Sequence, residues 1–223
     1  MRNLRKLSAF IVISGSACAL SGAADTPSSI GPDQPKIQIE SPETATPWEE
    51  GMGDGFRSSV HTLTVEAGAV QGLGIFGSLQ AHDLALLSVS YGHMLWHTVG
   101  QGHFYRGNWE LRGELFGGAQ FSPGSEWVVG LTPHLRYNFA TGTRFIPFID
   151  GGTGVTATSI RPPDLSNTFE FNLQGTVGVE VFLRDNVALT LEARLLHMSC
   201  AGISNPNRGL NGLGGMIGLT FMF

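Results

Sequence analysis

FEFNLQGTVGVEVF, residues 169–182, alternates along most of its length. Phe169, Phe171, Leu173, Val177, Val179 and Val181 fall on one side, and Glu170, Asn172, Gln174, Thr176 and Glu180 on the other. Side chains of an extended strand point alternately to its two faces, so the stretch reads as a β-strand with one apolar and one polar face.

The same period of two recurs in HTLTVEAGA (61–69), NWELRGELF (108–116), VGLTPHLRYNF (129–139) and VALTLEARLLH (187–197). DLALLSVSYGHML (83–95), RFIPFIDGGTGV (144–155) and the closing run GMIGLTFMF (215–223) complete a set of eight. Each is long enough for the ~9–11 residues that a tilted strand needs to cross a bilayer. ATGTR after the fourth strand and RDN after the sixth are turn-like, whereas the connections after strands one, three, five and seven are longer or rich in Pro and Gly. Short turns at one end and longer loops at the other is the plan of an outer-membrane barrel. The expected fold is therefore all-β, an eight-stranded antiparallel transmembrane β-barrel over residues 58–223.

A soluble barrel would show the same alternation with the faces reversed. Three features favour the membrane form. MRNLRK followed by LSAFIVISGSACAL and SGAAD has the basic start, short apolar middle and small-residue exit of a signal peptide, residues 1–23. Ile217, Leu219, Phe221 and the final Phe223 share one face, like the closing strand of bacterial outer-membrane barrels. Charges gather on the polar faces, with Glu110, Glu114, Glu180 and Glu192 opposed by Arg112, Arg136 and Arg194. Eight strands enclose just enough room for side chains, so these predict an internal polar network and not a pore.

Residues 24–57 form a Pro-, Ser-, Thr- and acid-rich segment with too little periodic apolar content to fold alone. Without Arg2, Arg5 and Lys6 the chain keeps 10 of its 13 Lys+Arg against 18 Asp+Glu. That acidity argues against a nucleic-acid partner. Removal of residues 1–23 would also take away Cys18 and leave Cys200 as the sole cysteine, read as a small packed residue. His82, His93, His97 and His103 have no metal-ligand spacing and read as loop or rim residues, and no cofactor is expected.

Parity through the seventh strand carries the functional reading. Val187, Leu189, Leu191, Ala193, Leu195, His197 and Ser199 share the apolar face. If Phe223 closes the barrel on the periplasmic side, this strand runs outward, and His197 and Ser199 meet the outer leaflet. Polar side chains there point to function. A serine and a histidine two apart on one face can form a nucleophile and its base.

HMSCAGISNPNRGLN (197–211) resembles the signature of the lipid A 3-O-deacylase (PagL) family of outer-membrane acyl hydrolases, H-x-S-N-A-G-(x)3-P-N-x-G-(x)-E. The match runs through His197, Ser199, Ala201, Gly202, Pro206, Asn207 and Gly209. The resemblance implies a serine esterase that hydrolyses an ester-linked acyl chain of lipid A in lipopolysaccharide. Ser199 would be the nucleophile, His197 the general base and Asn207 an oxyanion donor. It also leaves a homodimer open. The chain departs from the pattern at Cys200, where the family has Asn, and at Asn211, where it has the triad Glu. Glu192 faces inward from the same strand, whereas Asp164 could reach over the rim. The alternative expectation is a non-catalytic structural or adhesive barrel that has lost the triad acid.

Overall fold

In a computed structural model the described residues, 56–223, form a closed barrel of eight antiparallel strands. They are β1 (His61–Gly72), β2 (Asp83–Met94), β3 (Gly107–Ser122), β4 (Trp127–Phe139), β5 (Phe145–Thr158), β6 (Phe169–Arg184), β7 (Val187–Ser199) and β8 (Leu210–Met222). Each strand pairs with the next, and β8 returns to β1 in a ladder from Thr62↔Met222 to Gly72↔Gly212, so the sheet has no free edge. The expected signal peptide, and the expected Pro-rich segment up to residue 55, lie outside the described residues.

The alternation resolves as a polar inside and an apolar outside. Thr64, Glu66, Glu110, Glu114, Arg136 and Arg194 are buried, while Leu87, Leu115, Val177, Leu195 and Ile217 stand exposed on the outer face. The interior is layered. Towards the loops an apolar cluster including Val70, Leu84, Phe116, Leu165 and Met198 closes the barrel. At the base Phe56 packs with Met94, Ile146, Phe182 and Met222, so a residue ahead of β1 helps to stopper that end.

Between these plugs lies the charged layer. Arg194 contacts Glu114 at 2.7 Å and Glu192 at 2.6 Å. Arg136 reaches Asp150 at 3.1 Å and Glu180 at 3.2 Å, and its guanidinium lies 3.6 Å over the ring of Phe148. A Cβ on Gly178 would come within 2.3 Å of that ring, so this glycine makes room for the stack. Ions this deeply buried are tolerable only when paired, and one guanidinium here serves several carboxylates.

One loop departs from expectation. The base connection 95–106 is as long as the connections at the opposite end, and it folds on itself through His103 N to Gly100 O at 3.0 Å and the stacking of His103 on Tyr105. Loop length alone therefore distinguishes the two ends poorly, and the opposite end is recognised by loops 73–82, 159–168 and 200–209, which are hydrogen-bonded to one another through Asp164. Arg194→Met should lower the barrel's unfolding free energy by about 3–5 kcal/mol, because it takes from Glu114 and Glu192 their nearest cation and leaves them only His134 and Arg136. Denaturant titration in detergent micelles, followed by the electrophoretic shift of folded barrel, measures this.

Candidate active site

β7 runs from the base to the loop end, and its last outward positions are His197 and Ser199. Inward neighbours Leu196 and Met198 are buried in the upper plug, which holds the strand in this parity. The β7–β8 register sets His197 directly opposite Asn211. His197 Nδ1 is 2.7 Å from Asn211 Oδ1, and His197 Nε2 is 3.3 Å from Ser199 Oγ. Three of the four residues picked from the sequence thus form one array.

The protons in that array follow from a neighbouring carbonyl. Asn211 Nδ2 donates to the backbone oxygen of Ile75 at 2.8 Å. A carbonyl can only accept, so the amide must turn its NH2 to Ile75 and its oxygen to His197. That oxygen can in turn only accept, so Nδ1 of the neutral imidazole carries the proton. Nε2 is left with a free lone pair facing the Ser199 hydroxyl. This is the tautomer that a serine nucleophile requires of its base.

Gly209 completes the packing around the imidazole. Its φ is +75°, and a Cβ there would lie 3.0 Å from His197 Cε1, so a larger residue would be both strained and crowded.

Asn207 is engaged at both ends of its side-chain amide. Its amide donates to Cys200 Sγ and lies 3.5 Å from Glu170 Oε2, while its side-chain oxygen accepts from the N–H of Gly209 at 3.1 Å. With both ends engaged in the 200–209 loop, it braces that loop instead of presenting a free donor beside Ser199. Cys200 is buried and receives the N–H of Ser204 at 3.4 Å.

Asp164 is likewise not a replacement triad acid. Its carboxylate accepts from the N–H of Leu79 and of Gln80, both at 2.8 Å, from Ser78 Oγ at 3.2 Å, and meets His82 Nε2 at 3.1 Å. Its backbone oxygen takes the N–H groups of Arg208 and Gly209. One buried aspartate thus ties together loops 73–82, 159–168 and 200–209. His82, read as a loop or rim residue, lies in loop 73–82 and is buried within this cluster, its Nδ1 2.8 Å from Gln120 Oε1. Glu192 faces the interior as expected and pairs with Arg194.

Beside His197 the outer surface holds a groove of about 330 Å³, walled by Leu73, Ile75, Phe76, Leu173 and Leu195 with Asn211 on its margin. That is at the small end of the ~300–1,000 Å³ typical of ligand sites. Phe76 is 87% exposed and holds a φ of +53°. A bulky residue in the left-handed region is strained, and such strain gathers where a side chain is presented for use. Sequence reasoning missed this wall. The available signal was LGIFG (73–77), an apolar run in a loop between two strands.

A family model described as Lipid A 3-O-deacylase (PagL) matches residues 85–220, more than half of the chain. The chain belongs to the lipid A 3-O-deacylase (PagL) family. The crystal structure of the outer membrane enzyme PagL is similar to this chain, with 21% identity over 70% of this chain and 97% of that one, at a TM-score of 0.54. Neisserial surface protein A is similar at 15% identity, over 73% of this chain and 97% of that one, also at a TM-score of 0.54. At such identities these likenesses speak for the fold alone. No curated protein matches the chain. Against the PagL family pattern, the departures at 200 and 211 fall on a buried thiol and on the residue that orients His197.

The Asp164 clasp gives a pH test. Burial would raise its pKa, but the N–H groups of Leu79 and Gln80, with His82 and Ser78, outweigh burial and hold it below the usual carboxylate value. A depressed folded-state pKa means that the clasp's stabilisation is complete above the ordinary carboxylate range and is lost as pH falls through the depressed value. Protease resistance of loop 73–82 should therefore be constant around neutrality and fall in acid. Asp164→Asn should show the weakened loop at neutral pH.

Proposed function

We propose that the protein is an outer-membrane serine esterase that removes an ester-linked acyl chain from lipid A, a 3-O-deacylation of lipopolysaccharide. The observation that carries this reading is His197 held between Asn211 Oδ1, 2.7 Å from its Nδ1, and Ser199 Oγ, 3.3 Å from its Nε2, beside an apolar groove on the outer wall of the barrel. A nucleophile on the outside of a barrel, among Leu195, Leu173 and Phe76, suits a substrate that is itself a membrane lipid.

The setting we infer is a bilayer. The sheet has no open edge and presents an apolar outer face, which is what hydrocarbon demands of a spanning structure. With the termini of the barrel at the periplasmic base, the loop end holds the site in the outer leaflet, where lipid A resides.

In the reaction, Ser199 Oγ attacks the ester carbonyl while its proton passes to His197 Nε2. The tetrahedral intermediate collapses, Nε2 returns the proton to the departing sugar oxygen, and the acyl group remains on Ser199. Water, deprotonated by the same nitrogen, then releases the fatty acid and restores the serine. The oxyanion needs donors beside Ser199. The turn closed by Ile203 N to Cys200 O, with Ala201 at φ +52° and Gly202 at φ +80°, follows it directly. Asn207 would serve only by releasing Cys200. Asn211 orients the imidazole but does not offset its charge during the reaction. Turnover should therefore be slower, on the order of 10²–10⁴-fold, than in an esterase with an aligned acid.

What favours an enzyme over an inert structural or adhesive barrel is the ordered nucleophile–base pair, since a scaffold has no need of an imidazole held in one tautomer. Purified protein in mixed micelles should release a 3-hydroxy fatty acid from lipopolysaccharide, and Ser199→Ala should abolish release, a fall of at least about a thousandfold. Equal release by the two proteins would sink the proposal. Phe76→Gly should relieve backbone strain and stabilise its turn by about 1 kcal/mol while raising KM, as read by thermal unfolding and steady-state kinetics.

A further inference from the structure

We propose that the backbone carbonyl of Ile75 is a positioning group of the site, and that asparagine at 211 is matched to it. This deepens the esterase reading and rests on it for its catalytic consequence. An asparagine beside a catalytic histidine is hazardous, because its amide has two faces. With the NH2 towards Nδ1, the neutral imidazole would have to carry its proton on Nε2, and the base would be lost. With the oxygen towards Nδ1, the base is correct. Side-chain amides carry no internal preference between these two orientations, so a third group must choose.

Ile75 makes the choice. Its oxygen lies 2.8 Å from Asn211 Nδ2, and it also takes the N–H of Ser78 at 3.1 Å, closing the turn whose two central residues, Phe76 and Gly77, both have positive φ. The backbone N–H of Leu73 donates to the backbone oxygen of Asn211 at 2.7 Å, so loop 73–82 is pinned to residue 211 from two sides. The segment that walls the apolar groove is therefore the segment that sets the proton on His197. Asp164 anchors the far side of the same loop through Leu79 and Gln80.

A carboxylate at 211 meets this arrangement badly. One oxygen could accept from His197 Nδ1, but the other would face the Ile75 carbonyl, two acceptors at hydrogen-bond distance with no proton between them. Restoring an acid should then displace loop 73–82 and disturb the groove wall. The residue that looks like a lost triad acid is, in this chain, one partner of a pair.

Asn211→Asp is the cleanest probe, since it is nearly isosteric and exchanges only the donor for an acceptor. In micelles, full-length wild type should show His197 in the Nδ1-protonated form by ring-nitrogen NMR at pH values where it is neutral, and slow exchange at the Ser78 amide. Asn211→Asp should lose the Ser78 protection, with turnover falling about tenfold or more and KM rising. Asn211→Ala should lose the same protection and turnover. Wild-type His197 protonated on Nε2, or an Asn211→Asp protein with intact loop protection and turnover at or above wild type, would overturn the inference. The NMR and exchange measurements need no turnover. If wild type hydrolyses no lipid A, the esterase reading fails while the lock is still judged by them.

Discussion

Closure of the sheet is the constraint on which everything else depends. Every strand has a partner on both sides, including β8 with β1, so the backbone donors and acceptors of the wall are satisfied within the protein. Closure also fixes parity. Once Glu192, Arg194, Leu196 and Met198 are committed to the interior, His197 and Ser199 have no choice but to point outward. A slip of one residue in β7 would bury the histidine and expose the arginine, and the charged layer would forbid it. The ion pairs in the middle of the barrel therefore act on the site without touching it, by holding the register that presents it.

The site itself is built on the border between rigid and variable parts. His197, Ser199 and Asn211 sit on the last rungs of β7 and the first of β8, where the ladder still sets their spacing. The groove and the orientation of the amide come from loop 73–82, held by Asp164. Under the proposed esterase reading, strands would supply the distance between nucleophile and base, and the loop the substrate contact and the choice of tautomer.

Much of this was legible in the sequence because strand parity is a local property. Runs such as 169–182 and 187–197 announce their faces without knowledge of their neighbours, and eight of them imply closure. The pairing of His197 with Ser199 was readable for the same reason. What stayed hidden depends on contacts between loops distant in sequence. Asp164 looked like a candidate acid because nothing local shows that the N–H groups of Leu79 and Gln80 occupy it. His82 reads as a loop or rim residue, and its burial within the loop is not legible because it depends on Gln120 and Asp164. The amide of Asn207 suggested a free donor until its own loop folded over it. The second partner of Asn211 is a main-chain oxygen, and no side-chain pattern records one.

In the proposed function, an outward-facing Ser199, activated by His197, acts on lipid A in the membrane that surrounds it. Mass spectrometry of lipid A from otherwise identical bacterial cells tests it most directly, with cells making the wild-type protein set beside cells making the Ser199→Ala form at equal outer-membrane levels. The account requires a lipid A species lighter by one 3-hydroxyacyl chain in the first and its absence in the second. Identical lipid A profiles in the two would contradict it.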